Sequence, residues 1–229
     1  MGTDNLQKRR KQKRKERKSK ELDRRSETWL IVCEGEKTEK KYFEDLFAYI
    51  NSISKVKIKC KIIGTGKNTK SLVNSVDDFF RYSDRLVSET YIPYAKVFTV
   101  FDKDDFSDEQ FNSAIDMSEK RGYIPLWSNQ CIEFWFILHF EYLQSDIDRK
   151  QYFNKLNDRF GCKYKKNGKN FELLGKLDNV GIAIKRAKQI YLNNNGKTPA
   201  KMAPCTLMFR IFEEIESYLG TEISKINIK

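Results

Sequence analysis

Apolar runs alternate with helical stripes along the first two-thirds of the chain. Thr28-Trp-Leu-Ile-Val-Cys33 is a continuous apolar stretch and predicts a buried strand. After a turn at Gly35, Tyr42, Phe43, Leu46, Phe47 and Ile50 share one face of a helix predicted from Thr38 to Ile50, with Thr38 as its N-cap. Val56, Ile58, Cys60 and Ile62 then alternate with Lys57, Lys59 and Lys61, the period of a half-exposed strand. Lysines on one face protect an edge strand from aggregation; they can also track a phosphate backbone. Leu72, Val73, Val76, Phe79 and Phe80 mark the inward face of a second helix. A third strand is predicted from Lys96 to Phe101, a helix from Asp108 to Arg121, and a fourth strand from Tyr123 to Trp127. An apolar, aromatic segment runs from Cys131 to Tyr142. The alternation β-α-β-α-β-α-β-α predicts an α/β fold with a mainly parallel sheet and helices on both faces.

Beyond about residue 146 the strand pattern stops. Helical stretches are expected near 148–160, 179–193 and 206–219, with a polar Lys/Gly/Asn-rich piece from Gly161 to Asn170. The expected organisation is a basic flexible arm (1–25), an α/β domain (26–145) and a helical C-terminal extension packed on it (146–229). The hydrophobic fraction of 39% suffices for a packed core. No apolar run is long enough to span a bilayer, and the N-terminus has no apolar h-region of a secretory signal. The five cysteines lack C-x-x-C spacing and His139 is the only histidine. That argues against a Cys/His zinc site and a disulfide framework, and fits a cytoplasmic protein.

Net charge is +12, unevenly placed. Residues 1–25 carry twelve Lys/Arg against four Asp/Glu, and the other 204 residues carry 32 against 28. Lys8, Arg9, Arg10, Lys11, Lys13 and Arg14 in the arm are candidate contacts for RNA or DNA; the plain alternative is a solubilising tail. Gly64-Thr-Gly-Lys67-Asn-Thr69-Lys-Ser71 invites a phosphate-loop reading, but its glycine spacing fails the required frame. A capped helix start accounts for it, and Lys67 beside that helix can still hold a phosphate.

The candidate chemistry lies where two predicted strands end. The first runs into Glu34-Gly35-Glu36-Lys-Thr-Glu39, the third into Asp102-Lys-Asp104-Asp105. Strand ends in an open α/β sheet are where ligands bind. Carboxylates gathered there repel one another unless a hard cation neutralises them. At strand spacing Asp102 and Asp104 project to the same side, and adjacent strands would bring Glu34 to them. Glu36 and Glu39 also favour the start of the following helix, and Asp105 also reads as a solvated turn residue. Glu133 can reach the cluster from the start of its segment, while His139 reads as a hydrogen-bonded core residue. Asn129, just beyond strand four, is placed to contact a phosphate. Lys103 alternates away from the two aspartates.

These residues resemble a known pattern. Glu-Gly after one strand and Asp-x-Asp after another is similar to the TOPRIM domain of topoisomerases, bacterial primases and OLD-type nucleases. With Ser128-Asn-Gln-Cys-Ile-Glu133-Phe-Trp135-Phe-Ile-Leu-His139-Phe140 added, the chain more closely resembles the RloB-like family, which includes the AbiLii component of phage abortive infection. The resemblance covers about residues 27–220; Gln130 departs from an expected proline. It implies a TOPRIM-like, Rossmann-like fold, a role in phage defence and an ABC- or AAA-type ATPase partner. By the same resemblance Glu34 is a metal ligand or base, Asp102 and Asp104 are metal ligands, and Glu39 or Asp105 holds a second ion. The cofactor expected is Mg²⁺, with Mn²⁺ as an alternative.

The leading expectation is a metal-dependent nuclease with Glu34, Asp102, Asp104 and Glu133 as catalytic residues, RNA such as tRNA being preferred over DNA. The alternative is a non-catalytic subunit that binds nucleic acid or senses a phage product. Nucleotidyl transfer would use the same cluster. A homo-oligomer is compatible with the sequence.

Overall fold

In the computed structural model, which describes residues 11–13, 28–81 and 94–223, five strands form one sheet in the order β2-β1-β3-β4-β5. The strands are β1 (Thr28–Cys33), β2 (Lys59–Gly64), β3 (Lys96–Asp102), β4 (Ile124–Asn129) and β5 (Cys205–Thr206). The first four are parallel, and β5 joins β4 antiparallel. Between the parallel strands run α1 (Thr38–Ile53), α2 (Thr69–Arg81) and α3 (Asp108–Lys120). After β4 come α4 (Glu133–Ile137), α5 (Arg149–Phe160), α6 (Asn170–Leu173), α7 (Val180–Asn193) and α8 (Phe209–Leu219). The fold is α/β with a mostly parallel sheet, as the alternating pattern predicts.

This strand order fixes where a ligand can sit. The chain leaves β1 for β2 on one side and later returns to pair β3 with the other side of β1. The two crossovers diverge from β1, so a crevice opens beyond the carboxyl ends of β1 and β3. Residues 29–33 of β1 are all fully buried, the mark of a central strand covered on both faces. The short helix α4 is buried throughout, and Trp135 stacks on Phe212 at 5.5 Å. The indole Nε1–H of Trp135 donates to the Tyr42 hydroxyl at 2.9 Å, tying α4 to α1. Among the described residues no helix is long and apolar enough to cross a membrane, and all five cysteines are free thiols.

Four details differ from the sequence reading. Thr38 is the first residue of α1, not its cap; Lys37 holds the cap position without a side-chain bond. Strand β2 starts at Lys59, because Asn51 takes both backbone groups of Ile58 with its side-chain amide, at 2.9 and 2.8 Å. Val56 is thereby left 47% exposed. The aromatic segment from Cys131 is helical only over Glu133–Ile137. The C-terminal part is not purely helical, since it supplies β5 and so extends the sheet. Two residues gave too short a signal to read as a strand.

Candidate functional site

The crevice predicted by the strand order is an acidic cavity of about 330 Å³. Glu34, Glu36, Glu39, Asp102, Asp104 and Glu133 line it, with Lys37, Arg149 and Lys166 as its cations. Strand β1 delivers Glu34, whose N–H donates to the Val100 carbonyl at 2.8 Å and so extends the β1–β3 ladder by one step. Asp102 is the last residue of β3. Its Oδ2 accepts from the Ile132 N–H at 3.2 Å, and its backbone amide favours the charged form of Glu34. Asp104 follows in a left-handed conformation with φ of 41°, which aspartate tolerates better than most residues. It shares the cavity with Asp102, but through this turn rather than through strand alternation. Its N–H is fixed to the Gln130 carbonyl at 3.1 Å, and its carboxylate is ion-paired with Arg149.

The close approach of two loops sets the floor. A Cβ at Gly35 would lie 1.9 Å from Glu39 Oε2, and one at Gly64 would lie 2.6 Å from the Glu36 Cα. Glycine leaves room for the Glu39 carboxylate to fold back against residue 35, where the backbone amides of Glu39 and Gly35 favour its charged form. Glu133, 3% exposed, accepts from the Tyr164 hydroxyl at 2.8 Å.

Burial and mutual repulsion raise the proton affinity of Glu34, Glu39 and Asp102. Burial, opposed by the Asp102 N–H, pushes Glu34 up to about 7, and Glu39 adds to the rise. Asp102 is held well above the ordinary carboxylate range by burial and by Glu39, Glu133 and Glu34. Glu39 is raised by burial and by Glu133, with Lys166 opposing. Burial beside Glu133 also keeps the Tyr164 hydroxyl protonated. With six acids against three cations in its lining, the cavity is short of positive charge.

Among the described residues no three His, Cys, Asp or Glu side chains stand gathered as a ready metal group. Protein donors hold three of these acids: Arg149 for Asp104, Tyr164 for Glu133, and the Ile132 N–H for Asp102. Glu34 Oε2 is buried without a hydrogen-bond partner. An orphaned carboxylate oxygen among oxygen donors fits a hard cation such as Mg²⁺ or Mn²⁺, not a soft one.

The structure brings together Glu34, Glu39, Asp102, Asp104 and Glu133. It does not bring in Asp105, which is exposed and outside the lining. Lys67 lies in a separate depression with Ser71, Asn74 and Asp78. Asn129 is the last residue of β4 and pairs with Cys205 of β5, rather than lying beyond the strand; its amide donates to the carbonyls of Pro199 and Ala200 at 3.3 and 3.0 Å, away from the cavity lining. Lys103 turns to Asp108 at 3.6 Å. His139 donates from Nδ1 to the Trp135 carbonyl at 3.0 Å, and burial lowers it to about 4. Lys8, Arg9, Arg10 and Arg14 lie outside the described residues; Lys11 and Lys13 are exposed residues of a helical stretch at 11–13.

Sequence reasoning missed Arg149 and Lys166. Arg149 follows the Asp148 N-cap of α5, and Lys166 lies in the polar piece after Phe160, where only the isolated Tyr164 hinted at an anchored loop. A family model described as RloB-like protein matches residues 29–215. No curated protein and no solved structure matches the chain.

Proposed function

We propose, for a chain that belongs to the RloB-like protein family, that the acidic cavity hydrolyses phosphodiester bonds of a nucleic-acid strand with the help of a divalent cation. The observation that carries this reading is the pairing of Glu34 with Asp102 at the switch point of the sheet. Both carboxylates bind protons too tightly, and one oxygen is left without a donor. On this reading the domain is TOPRIM-like. Its setting is phage defence alongside an ABC- or AAA-type ATPase, and RNA such as tRNA is preferred over DNA.

Asp102 and Glu34 would hold Mg²⁺ or Mn²⁺, with Glu39 and Asp104 within the same cavity. When bound, the cation polarises a phosphoryl oxygen and acidifies water. Glu34, which lines the cavity with one oxygen free of hydrogen bonds, would serve as metal ligand or as the base that takes the proton of the attacking water. Tyr164 fixes Glu133 in one orientation, so Glu133 sets the field around Asp102. Arg149 and Lys166 supply positive charge where the phosphate gains negative charge.

The test is cleavage of labelled RNA and DNA by the purified chain with Mg²⁺ or Mn²⁺, beside Asp102→Asn. Metal-dependent products lost in the variant support the hydrolase. A second reading, a non-catalytic nucleic-acid-binding or sensor subunit of an ATPase complex, is favoured by the pairing of Asp104 with Arg149. Strand binding without cleavage, alone or with the neighbouring ATPase, selects it.

A further inference from the structure

The loop between α5 and α6 carries positive charge that the fold leaves largely without ion pairs; only Lys166 acts on a buried acid, Glu39. Lys163, Lys165 and Lys166 are exposed and form no ion pair among the described residues, whereas Lys169 pairs with Glu172 at 3.5 Å. Yet the loop is built, not slack. Tyr164 at its centre is buried, donates to Glu133, and packs on Phe153 at 5.5 Å and Phe160 at 6.4 Å. The Tyr164 N–H donates to Asn157 Oδ1 at 2.6 Å. The Lys165 carbonyl accepts from Gly168 N–H at 2.9 Å and from the buried Asn170 amide at 3.1 Å. These anchors hold three free lysines beside the cavity, and Lys166 lines it.

The charges are layered. Asp102, Glu39 and Glu133 are buried at the floor, while Lys166 and Lys37 are exposed at the rim. Such a site attracts an extended polyanion at its rim and repels its phosphates from the floor unless a cation is there. A small anion would need only one or two of the rim cations; three lysines within four residues suit neighbouring phosphates of one strand.

We propose that the Gly161–Lys169 loop is a strap for a single nucleic-acid strand, with Lys163, Lys165 and Lys166 on the phosphates flanking the one seated over Glu34 and Asp102. This deepens the hydrolase reading, and rests on it only for the phosphate that reacts. It assigns a binding role to residues beyond the acidic cluster and the basic N-terminal arm.

The experiment is fluorescence anisotropy of the full chain with labelled single-stranded RNA and DNA oligonucleotides across a salt series, in EDTA so that nothing is cut. Lys163→Gln/Lys165→Gln/Lys166→Gln is compared with Lys55→Gln/Lys120→Gln/Lys185→Gln, which removes the same charge elsewhere. The strap variant is expected to bind at least tenfold more weakly. Three lost phosphate contacts should flatten the log–log salt slope by about 2. The control should stay within about twofold of wild type. Equal losses in both variants, or none in the strap variant, overturn the strap. Strap-dependent binding with no metal-dependent cleavage by wild type overturns the hydrolase reading and leaves the strap standing. Where cleavage occurs, the strap variant is expected to raise KM, and Lys163→Gln/Lys165→Gln, which spares Lys166 at the cavity, should do so at unchanged kcat.

Discussion

Glu34 stands one step beyond β1 and Asp102 ends the neighbouring parallel β3, and the Asp102 backbone amide favours the charged form of Glu34. That amide eases the repulsion between the two carboxylates without removing it. Glu34→Gln and Asp102→Asn keep shape and remove charge. Each is expected to lower metal-dependent cleavage by about 10²–10⁴-fold, the range for a lost proton-transfer group. Denaturant midpoints should stay level or rise, because an uncompensated buried charge opposes folding. Full cleavage by both folded variants would refute the proposed site.

The same repulsion sets a pH dependence in the absence of divalent ions. Glu34 titrates near 7 in the fold against 4.5 as an ordinary glutamate, and Asp102 and Glu39 shift the same way. The folded state therefore holds more protons than the unfolded one between these values. Stability from these acids is greatest at low pH and is lost as pH rises toward about 7. His139 runs oppositely: lowered from 6.5 to about 4, it removes stability as pH falls through that range. The clean readout is the difference in melting temperature between wild type and Glu34→Gln from pH 4.5 to 7.5, in EDTA. The variant should gain on wild type as pH rises; a flat difference contradicts the raised affinity of Glu34.

A cation that binds only the folded state raises its stability by about 2.7 kcal/mol at one hundred times its Kd. Mg²⁺ or Mn²⁺ should raise the melting temperature above pH 7, with EDTA reversing the gain. Asp102→Asn should abolish most of the shift. An equal shift in the variant places the cation elsewhere.

The sequence made the β1 and β3 termini legible because both end an apolar run abruptly in acids. Strand adjacency was only an assumption there, and the register Cys33 to Val100 supplies it. Glu133 was readable only as a neighbour of the cluster; its partner Tyr164 lies 31 residues away in a polar loop. Arg149 was invisible, since an arginine at a helix start looks like any solvated cation until tertiary packing pairs it with Asp104. Val56 misled for the opposite reason. It alternates correctly, but the Asn51 side chain captures the backbone of Ile58 before the ladder begins.

Gly64 and Gly35 separate fold from site. A methyl at Gly64 meets backbone, the Glu36 Cα at 2.6 Å and the Gly35 carbonyl at 2.8 Å. Gly64→Ala is expected to destabilise by about 1–3 kcal/mol, the usual range for overpacking. The three atoms nearest a methyl at Gly35 all belong to the Glu39 side chain, whose end can swing away. Gly35→Ala should therefore unfold close to wild type in urea yet lose Mg²⁺ affinity. Equal destabilisation in both variants means that Glu39 is not free to yield.

Tyr164→Phe isolates the hydroxyl that positions Glu133. The ring contacts with Phe153 and Phe160 remain, and only the 2.8 Å bond to a buried carboxylate is lost. Leaving that acceptor unpaired should lower stability by about 1–3 kcal/mol. With its donor gone, Glu133 is no longer fixed in one orientation, and metal-dependent cleavage should fall. In a Glu133→Gln background Tyr164→Phe should cause no further loss, since the carboxylate it positions is already absent; a further loss gives the hydroxyl another role. Cleavage identical to wild type in Tyr164→Phe alone makes the hydroxyl a packing detail rather than a positioning bond.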